Sequence, residues 1–314
     1  MERLPLLSSG ILQAIGNTPL VRLQKIPPPD SAVIFVKLEY FNPTGSYKDR
    51  MALALIEEAE ARNDLHLGMT VVEYSGGSTG SSLAFVCAVK GYRFQVVSSD
   101  AFAPEKLKTM SAFGAEVTVV PSVGGQVTPD LIPRMVEQAR LLAKAPNTYF
   151  TNQLHNTDSI QGYAQLGREI LRQVGQPIHA FCAGVGTAAM LMGVARALRQ
   201  AQSPAKIVAL EPAASAILST GNIGAHHVEG IGLGLIPPLL ERKFYDEARG
   251  IEEREAAEMA RRLAKEEGIF AGISTGLNLV GALQLAQELG AGHIVVTVAV
   301  DSGLKYLDGE LFTA

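Results

Sequence analysis

Lys48 has the setting in this 314-residue chain that most invites chemistry. It lies in Phe41-Asn42-Pro43-Thr44-Gly45-Ser46-Tyr47-Lys48-Asp49-Arg50, where Asn-Pro and Gly form turns and Ser46 is a good helix N-cap. A helix over Tyr47–Arg62 is expected, with Lys48 in its first turn, facing the positive end of the helix dipole. Lys48, Ala52, Leu55 and Ala59 share a face that is otherwise apolar. Both conditions favour a neutral, nucleophilic amine. The plainer alternative is a lysine lying along the surface, offset by Asp49.

Three further turns present small and polar residues together. Glu73-Tyr74-Ser75-Gly76-Gly77-Ser78-Thr79-Gly80-Ser81-Ser82 leaves a strand and enters a helix, offering hydroxyls and backbone N–H groups to a carboxylate or phosphate. Phe181-Cys182-Ala183-Gly184-Val185-Gly186-Thr187-Ala188-Ala189-Met190 repeats that design with side chains small enough for backbone to close on a phosphate. It lacks the Gly-Lys-Ser/Thr ending of a P-loop, and Met190 reads as core. Val298-Ala299-Val300-Asp301-Ser302-Gly303 ends the most apolar strand. Neighbours on a strand face opposite ways, so one of Asp301 and Ser302 points at a ligand, or the pair simply caps a short helix. Gly230-Ile231-Gly232-Leu233-Gly234 follows no strand and runs into Pro237-Pro238, as a hinge or substrate wall would. His226-His227 has no metal-ligand spacing and reads as loop, and Cys87 and Cys182 read as core thiols. No metal site is expected.

The elements that must position these turns alternate along the chain. Expected strands are Val33–Leu38, Thr70–Tyr74, Phe94–Ser98, Glu116–Val120, Ile178–Ala183, Lys206–Glu211 and His293–Val300. Between them fall helices over Tyr47–Arg62, Thr79–Lys90, Glu105–Phe113, Leu131–Ala143, Ser159–Gln173, Thr187–Gln200, Glu252–Glu267 and Gly276–Leu289. Such alternation implies parallel sheets of βαβ units, and the continuously apolar strands imply helices on both sheet faces. The connectors are Pro27-Pro28-Pro29-Asp30 and Pro121 to Pro133. No internal repeat or low-complexity tract is visible.

Composition sets the outer bounds. The length suggests two domains. With 47% hydrophobic and 18% charged residues, the chain is too apolar for disorder. A net charge of −4 argues against a basic nucleic-acid module. Two cysteines make no disulfide framework. No segment reaches the ~20 apolar residues of a membrane helix, and the opening residues lack the basic start and long apolar run of a secretory signal. A cytoplasmic enzyme that binds neither membrane nor nucleic acid is expected.

Taken in order, several blocks resemble the fold-type II (tryptophan synthase β-like) pyridoxal-phosphate enzymes, especially the cysteine synthase (O-acetylserine sulfhydrylase) and cystathionine β-synthase branch. The blocks are Ile15-Gly16-Asn17-Thr18-Pro19-Leu20-Val21, Asn42 to Arg50, Ala183 to Thr187, Glu229-Gly230-Ile231-Gly232 and Glu266 to Gly276. They span nearly the whole chain. The resemblance implies an α/β fold of two three-layer α/β/α domains with mostly parallel sheets. Residues 1–44 and 152–314 would form the larger, cofactor-binding domain, and 45–151 a smaller mobile one.

It further implies that Lys48 is the catalytic lysine, joined covalently to pyridoxal 5'-phosphate. Gly186, Thr187, Ala188, Ala189 and Met190 become the phosphate cradle, and Ser302 the hydroxyl facing the pyridine nitrogen. Ser75, Gly76 and Thr79 bind the substrate carboxylate with Gln153 across the cleft, and Gly230 lines the amino-acid site. Ser78 takes the place of the family's usual asparagine, beside the cofactor. Two other departures are Gly76 for a serine and Ala188-Ala189-Met190 for Gly-Gly-Thr, which removes a phosphate-binding hydroxyl.

The activity implied is β-replacement on an activated L-serine, resembling O-acetylserine, by sulfide or another thiol through an aminoacrylate. The alternatives are β-elimination, as in a cysteine desulfhydrase or serine dehydratase, or cystathionine β-synthase activity. A nicotinamide dehydrogenase would need a Gly-x-Gly-x-x-Gly turn with an acidic residue following, which is not found. A non-catalytic binding protein would tolerate loss of Lys48. The resemblance alone implies a homodimer and a serine acetyltransferase partner.

Overall fold

The computed structural model describes residues 10–125, 128 and 130–313. The expected absence of a leader rests on residues 1–9, which lie outside the described residues, as do 126, 127 and 129 of the second connector.

Two sheets organise the chain. The larger contains β1 (Leu20–Arg22), β2 (Val33–Leu38), β7 (Ala180–Gly184), β8 (Lys206–Pro212), β9 (Glu247–Ile251) and β10 (Ile294–Ala299), in the order β1-β2-β10-β7-β8-β9. All its pairings are parallel except β1 with β2. The smaller contains β3 (Thr70–Tyr74), β4 (Arg93–Ser99), β5 (Glu116–Val120) and β6 (Thr148–Phe150), wholly parallel, in the order β5-β4-β3-β6.

Both sheets are covered on both faces, which is why their central strands are apolar throughout. On the larger, Phe181, Val296 and Val298 face α5 (Asp158–Val174) and α6 (Ala189–Gln200), while Ala180, Cys182 and Val295 face α7 (Glu253–Arg262) and α8 (Ile273–Leu289). On the smaller, Val71 and Val96 pack with α2 (Ser78–Lys90) and α3 (Pro104–Ala112), and Val72 and Val97 with α4 (Leu131–Leu142). α1 (Lys48–Ala61) belongs to both cores. Its Met51 and Leu55 enter the larger core, and Ala52, Ile56 and Ala59 the smaller.

The expected strands and helices form with ends shifted by at most three residues, apart from the last turn of the helix expected over 252–267, which is π-helical over Leu263–Glu267. Three strands escape the pattern. β1 and β6 have three residues each, too few for a period, and β9 (Glu-Ala-Arg-Gly-Ile) is a polar edge strand with a glycine. Ser46 is not the cap residue, since α1 begins at Lys48 and Tyr47 holds that place; the Ser46 hydroxyl nevertheless accepts from Lys48 N at 3.1 Å. Among the described residues no helix is long and apolar enough to cross a membrane.

A buried ionic cluster locks α1 in place. The Arg50 guanidinium meets both oxygens of Glu39, at 2.7 and 2.9 Å, and Glu169 on α5, at 2.7 and 2.9 Å. Lys37 on β2 reaches the same Glu169 at 2.8 Å. Burial alone would raise the Glu169 carboxyl, but Arg50 and Lys37 outweigh it and hold it at about 2. Burial lowers Lys37.

Candidate active site

The site lies where strands of both sheets end, the usual place for a ligand in parallel α/β folds. The segment before α1 is clamped to the end of β10. Tyr47 N donates to Val300 O at 3.0 Å, and Ser302 N to Gly45 O at 2.9 Å. Thr44 donates its hydroxyl and N–H to Asp49, at 2.6 and 2.8 Å, and burial raises that carboxyl. The Lys48 side chain is buried, its Nζ 4.6 Å from the centroid of the Tyr47 ring.

Lys48 shares a small cavity with Tyr47, with Tyr163 of α5, and with Gly186, Thr187, Ala188 and Met190 of the turn that opens α6. These turn residues lie about 140 positions from Lys48 in sequence and are brought to it by β7 and α6. Gly186 has to be glycine, because a Cβ there would stand 2.2 Å from the Gly230 carbonyl oxygen. That same approach seats Gly230 against the turn. Ala188 holds a left-handed φ of 68°, and α6 starts without a side-chain cap. Its first N–H groups have no intrahelical acceptor, and among the described residues Thr187 Oγ1 accepts only from Ala189 N, at 3.5 Å. Ala189 is buried but does not line the cavity. Met190 is core, as expected, and lines it too.

At the end of β3, Ser75 Oγ accepts from Gly77 N at 3.2 Å and Gly80 N at 2.9 Å, shaping the loop into α2. Thr79 Oγ1 donates to Gln153 Oε1 at 2.9 Å, so these two residues meet directly. Gln153 is anchored from beneath through its N–H to the Glu73 carboxylate at 2.9 Å and its side-chain amide to Tyr74 O at 3.0 Å. Burial pushes the Glu73 carboxyl up to about 7. The glycine at 76 has a partner elsewhere: a Cβ there would lie 2.4 Å from the Phe102 ring, which fills the space a serine would take.

Ser78 does not stand alone. Its hydroxyl donates to Asp301 Oδ2 at 2.7 Å and accepts from Lys305 Nζ at 3.2 Å. Asp301 also accepts from Ser46 at 2.5 Å and from Tyr306 at 3.4 Å. Ser302 caps the short turn Gly303–Tyr306, its Oγ accepting from Leu304 N at 3.3 Å. Lys106 of α3 pairs with Glu229, and burial lowers its amine to about 8.

The remaining candidates are structural. His226 hydrogen-bonds to Gly232 O at 2.9 Å, His227 pairs with Glu253, and no metal-holding group of side chains occurs among the described residues. Cys87 and Cys182 are buried, their thiols pushed up to about 12 by desolvation. Glu73, Phe102 and Tyr163 join the site without having been expected from the sequence. Only for Glu73 was there a signal, a carboxylate closing a strand directly before a Gly-Ser turn.

A group carrying an aldehyde and a phosphate fits these residues. Lys48 supplies a buried primary amine, and the α6 terminus, with a glycine that admits close backbone approach, supplies an uncapped anion site in the same cavity.

A family model described as "Pyridoxal-phosphate dependent enzyme" matches residues 11–301. A cysteine synthase of Staphylococcus aureus is 41% identical over 307 residues, covering 97% of each chain. Among solved structures, O-ureido-L-serine synthase superposes with a TM-score of 0.92 at 35% identity, covering 98% of this chain and 95% of that one. The cysteine synthase of Entamoeba histolytica gives 0.92 at 31% identity, covering 99% and 93%. A match of this extent places the chain in the family of pyridoxal-phosphate-dependent enzymes.

Proposed function

We propose that the protein is a cysteine synthase, replacing the β-substituent of O-acetyl-L-serine with sulfide. The observation that carries this reading is the meeting of Lys48 with the turn 186–190 in one cavity, in a chain 41% identical to a cysteine synthase. When bound, the cofactor supplies an electron sink for the substrate's Cα. Lys48 holds it and moves the proton at Cα, a role that needs an amine shielded from bulk water. Gly186 to Met190 and the α6 terminus bind its phosphate, and Ser302 offers its hydroxyl to the ring nitrogen. Ser75, Gly76, Thr79 and Gln153 bind the substrate carboxylate, Ser78 borders the cofactor, and Gly230 walls the amino-acid side.

Residues 45–151 act in this reading as the smaller domain, closing on the larger one formed by 1–44 and 152–314 to exclude water. The Ser78–Asp301 and Lys106–Glu229 contacts, which tie α2 and α3 to residues of the larger part, support that closure. We place the enzyme in the cytoplasm as a homodimer, with serine acetyltransferase as its candidate partner. Incubating the purified protein with O-acetylserine and sulfide tests the function. Cysteine is the expected product, and pyruvate without cysteine would contradict replacement.

A further inference from the structure

We infer that the Tyr163 hydroxyl binds the cofactor phosphate, giving the side-chain hydrogen bond that Met190 cannot. The assignment rests on reading the 186–190 turn as the phosphate cradle. Tyr163 is wholly buried, and its hydroxyl has no hydrogen-bond partner among the described residues. A buried hydroxyl in that state is unfavourable and calls for a partner that arrives later. It lines the cavity that holds Lys48, Gly186, Thr187, Ala188 and Met190.

Its position follows from unusually close helices. A Cβ on Gly193 of α6 would stand 2.6 Å from Tyr163 Cβ and 2.7 Å from Ile160 O, and one on Gly167 of α5 would meet Ala197 Cβ at 2.6 Å. Two glycines thus bring α5 and α6 nearly backbone to backbone. Tyr163, one turn before Gly167, enters the cavity beside the start of α6, its ring 5.4 Å from that of Tyr47.

The chemistry suits a phosphate. Burial holds the phenol well above its ordinary range, so it remains a proton donor. A dianionic phosphate accepts more hydrogen bonds than the first turn of α6 alone supplies. Met190 stands where the family's cradle has a threonine, and a thioether donates nothing. Tyr163 delivers the missing donor from the neighbouring helix without adding charge.

Tyr163→Phe removes the oxygen and keeps the ring. The cofactor is removed from wild type and variant, and three quantities are compared: the Kd for added pyridoxal phosphate, the phosphorus NMR resonance of the bound cofactor, and the melting temperature of the cofactor-free protein. The Kd should rise about 10- to 100-fold, as for a lost hydrogen bond to a charged group. The resonance should move. The cofactor-free variant should melt no lower than wild type, since the hydroxyl it loses has no partner there. An unchanged Kd and resonance would overturn the assignment, as would a cofactor-free variant that melts lower. Wild-type protein that takes up no pyridoxal phosphate would overturn the reading of the site itself.

Discussion

The Ser78 hydroxyl at the start of α2 donates to the Asp301 carboxylate at 2.7 Å, and the same carboxylate accepts from Ser46, whose hydroxyl receives the Lys48 N–H. One buried acid thus joins the start of α1, the start of α2 and the end of β10. Asp301→Asn keeps the shape but gives up the charge and one acceptor. Hydrogen bonds to a charged group contribute about 1.5–3 kcal/mol each. The variant should lose stability on that scale in denaturant titrations, and Ser78→Ala, which removes one of the bonds, should lose less.

Glu73 makes stability depend on pH. Its carboxyl is raised by burial to about 7, against 4.5 when unfolded. Between these values the folded state binds the proton and the unfolded state does not, so stability falls as pH rises through this window and is flat above it. The shift corresponds to about 3 kcal/mol. Glu73→Gln should flatten the difference in melting temperature between pH 5 and 7.5. An unaltered pH profile would show that Glu73 does not titrate there.

Phe102 and Gly76 should behave as a coupled pair. Gly76→Ser pushes a side chain into the Phe102 ring, an overpacking that costs about 1–3 kcal/mol. In the background of Phe102→Ala the same serine should be tolerated, so the double-mutant cycle should show coupling of about 1 kcal/mol or more. Additive effects would contradict the packing seen here.

Arg50 bridges two buried carboxylates, one of which it shares with Lys37. Arg50→Met leaves Glu39 buried without its cation and Glu169 with Lys37 alone, which should destabilise the fold by about 3–5 kcal/mol. Urea unfolding with tyrosine fluorescence or circular dichroism reads this directly.

These residues show what was legible in the sequence. Lys48 could be read because a turn-forming run leads straight into an amphipathic helix, and the 186–190 turn because glycine and small residues follow an apolar strand. The sharing of α1 between two cores was partly visible, since its Lys48–Ala52–Leu55–Ala59 face is apolar, but nothing in the pattern said that Leu55 and Ala52 enter different cores. Tyr163 was hidden because Ile160, Tyr163, Leu166 and Ile170 repeat with ordinary core spacing. The Lys37–Glu169 pair joins residues 132 positions apart, and Asp301 meets Ser78 across 223. Such pairings depend on how β10, α2 and α5 are stacked, and no local pattern records that. Phe102 filling the space above Gly76 is a contact of the same kind.

The central claim is that Lys48 carries the cofactor in the cavity opposite the α6 terminus. Borohydride reduction of the purified, cofactor-loaded protein, followed by peptide mapping, tests it most directly. The yellow colour should be lost and a single pyridoxyl adduct should appear on Lys48, absent from Lys48→Ala. An adduct on another lysine, or none on a protein with bound cofactor, would contradict it.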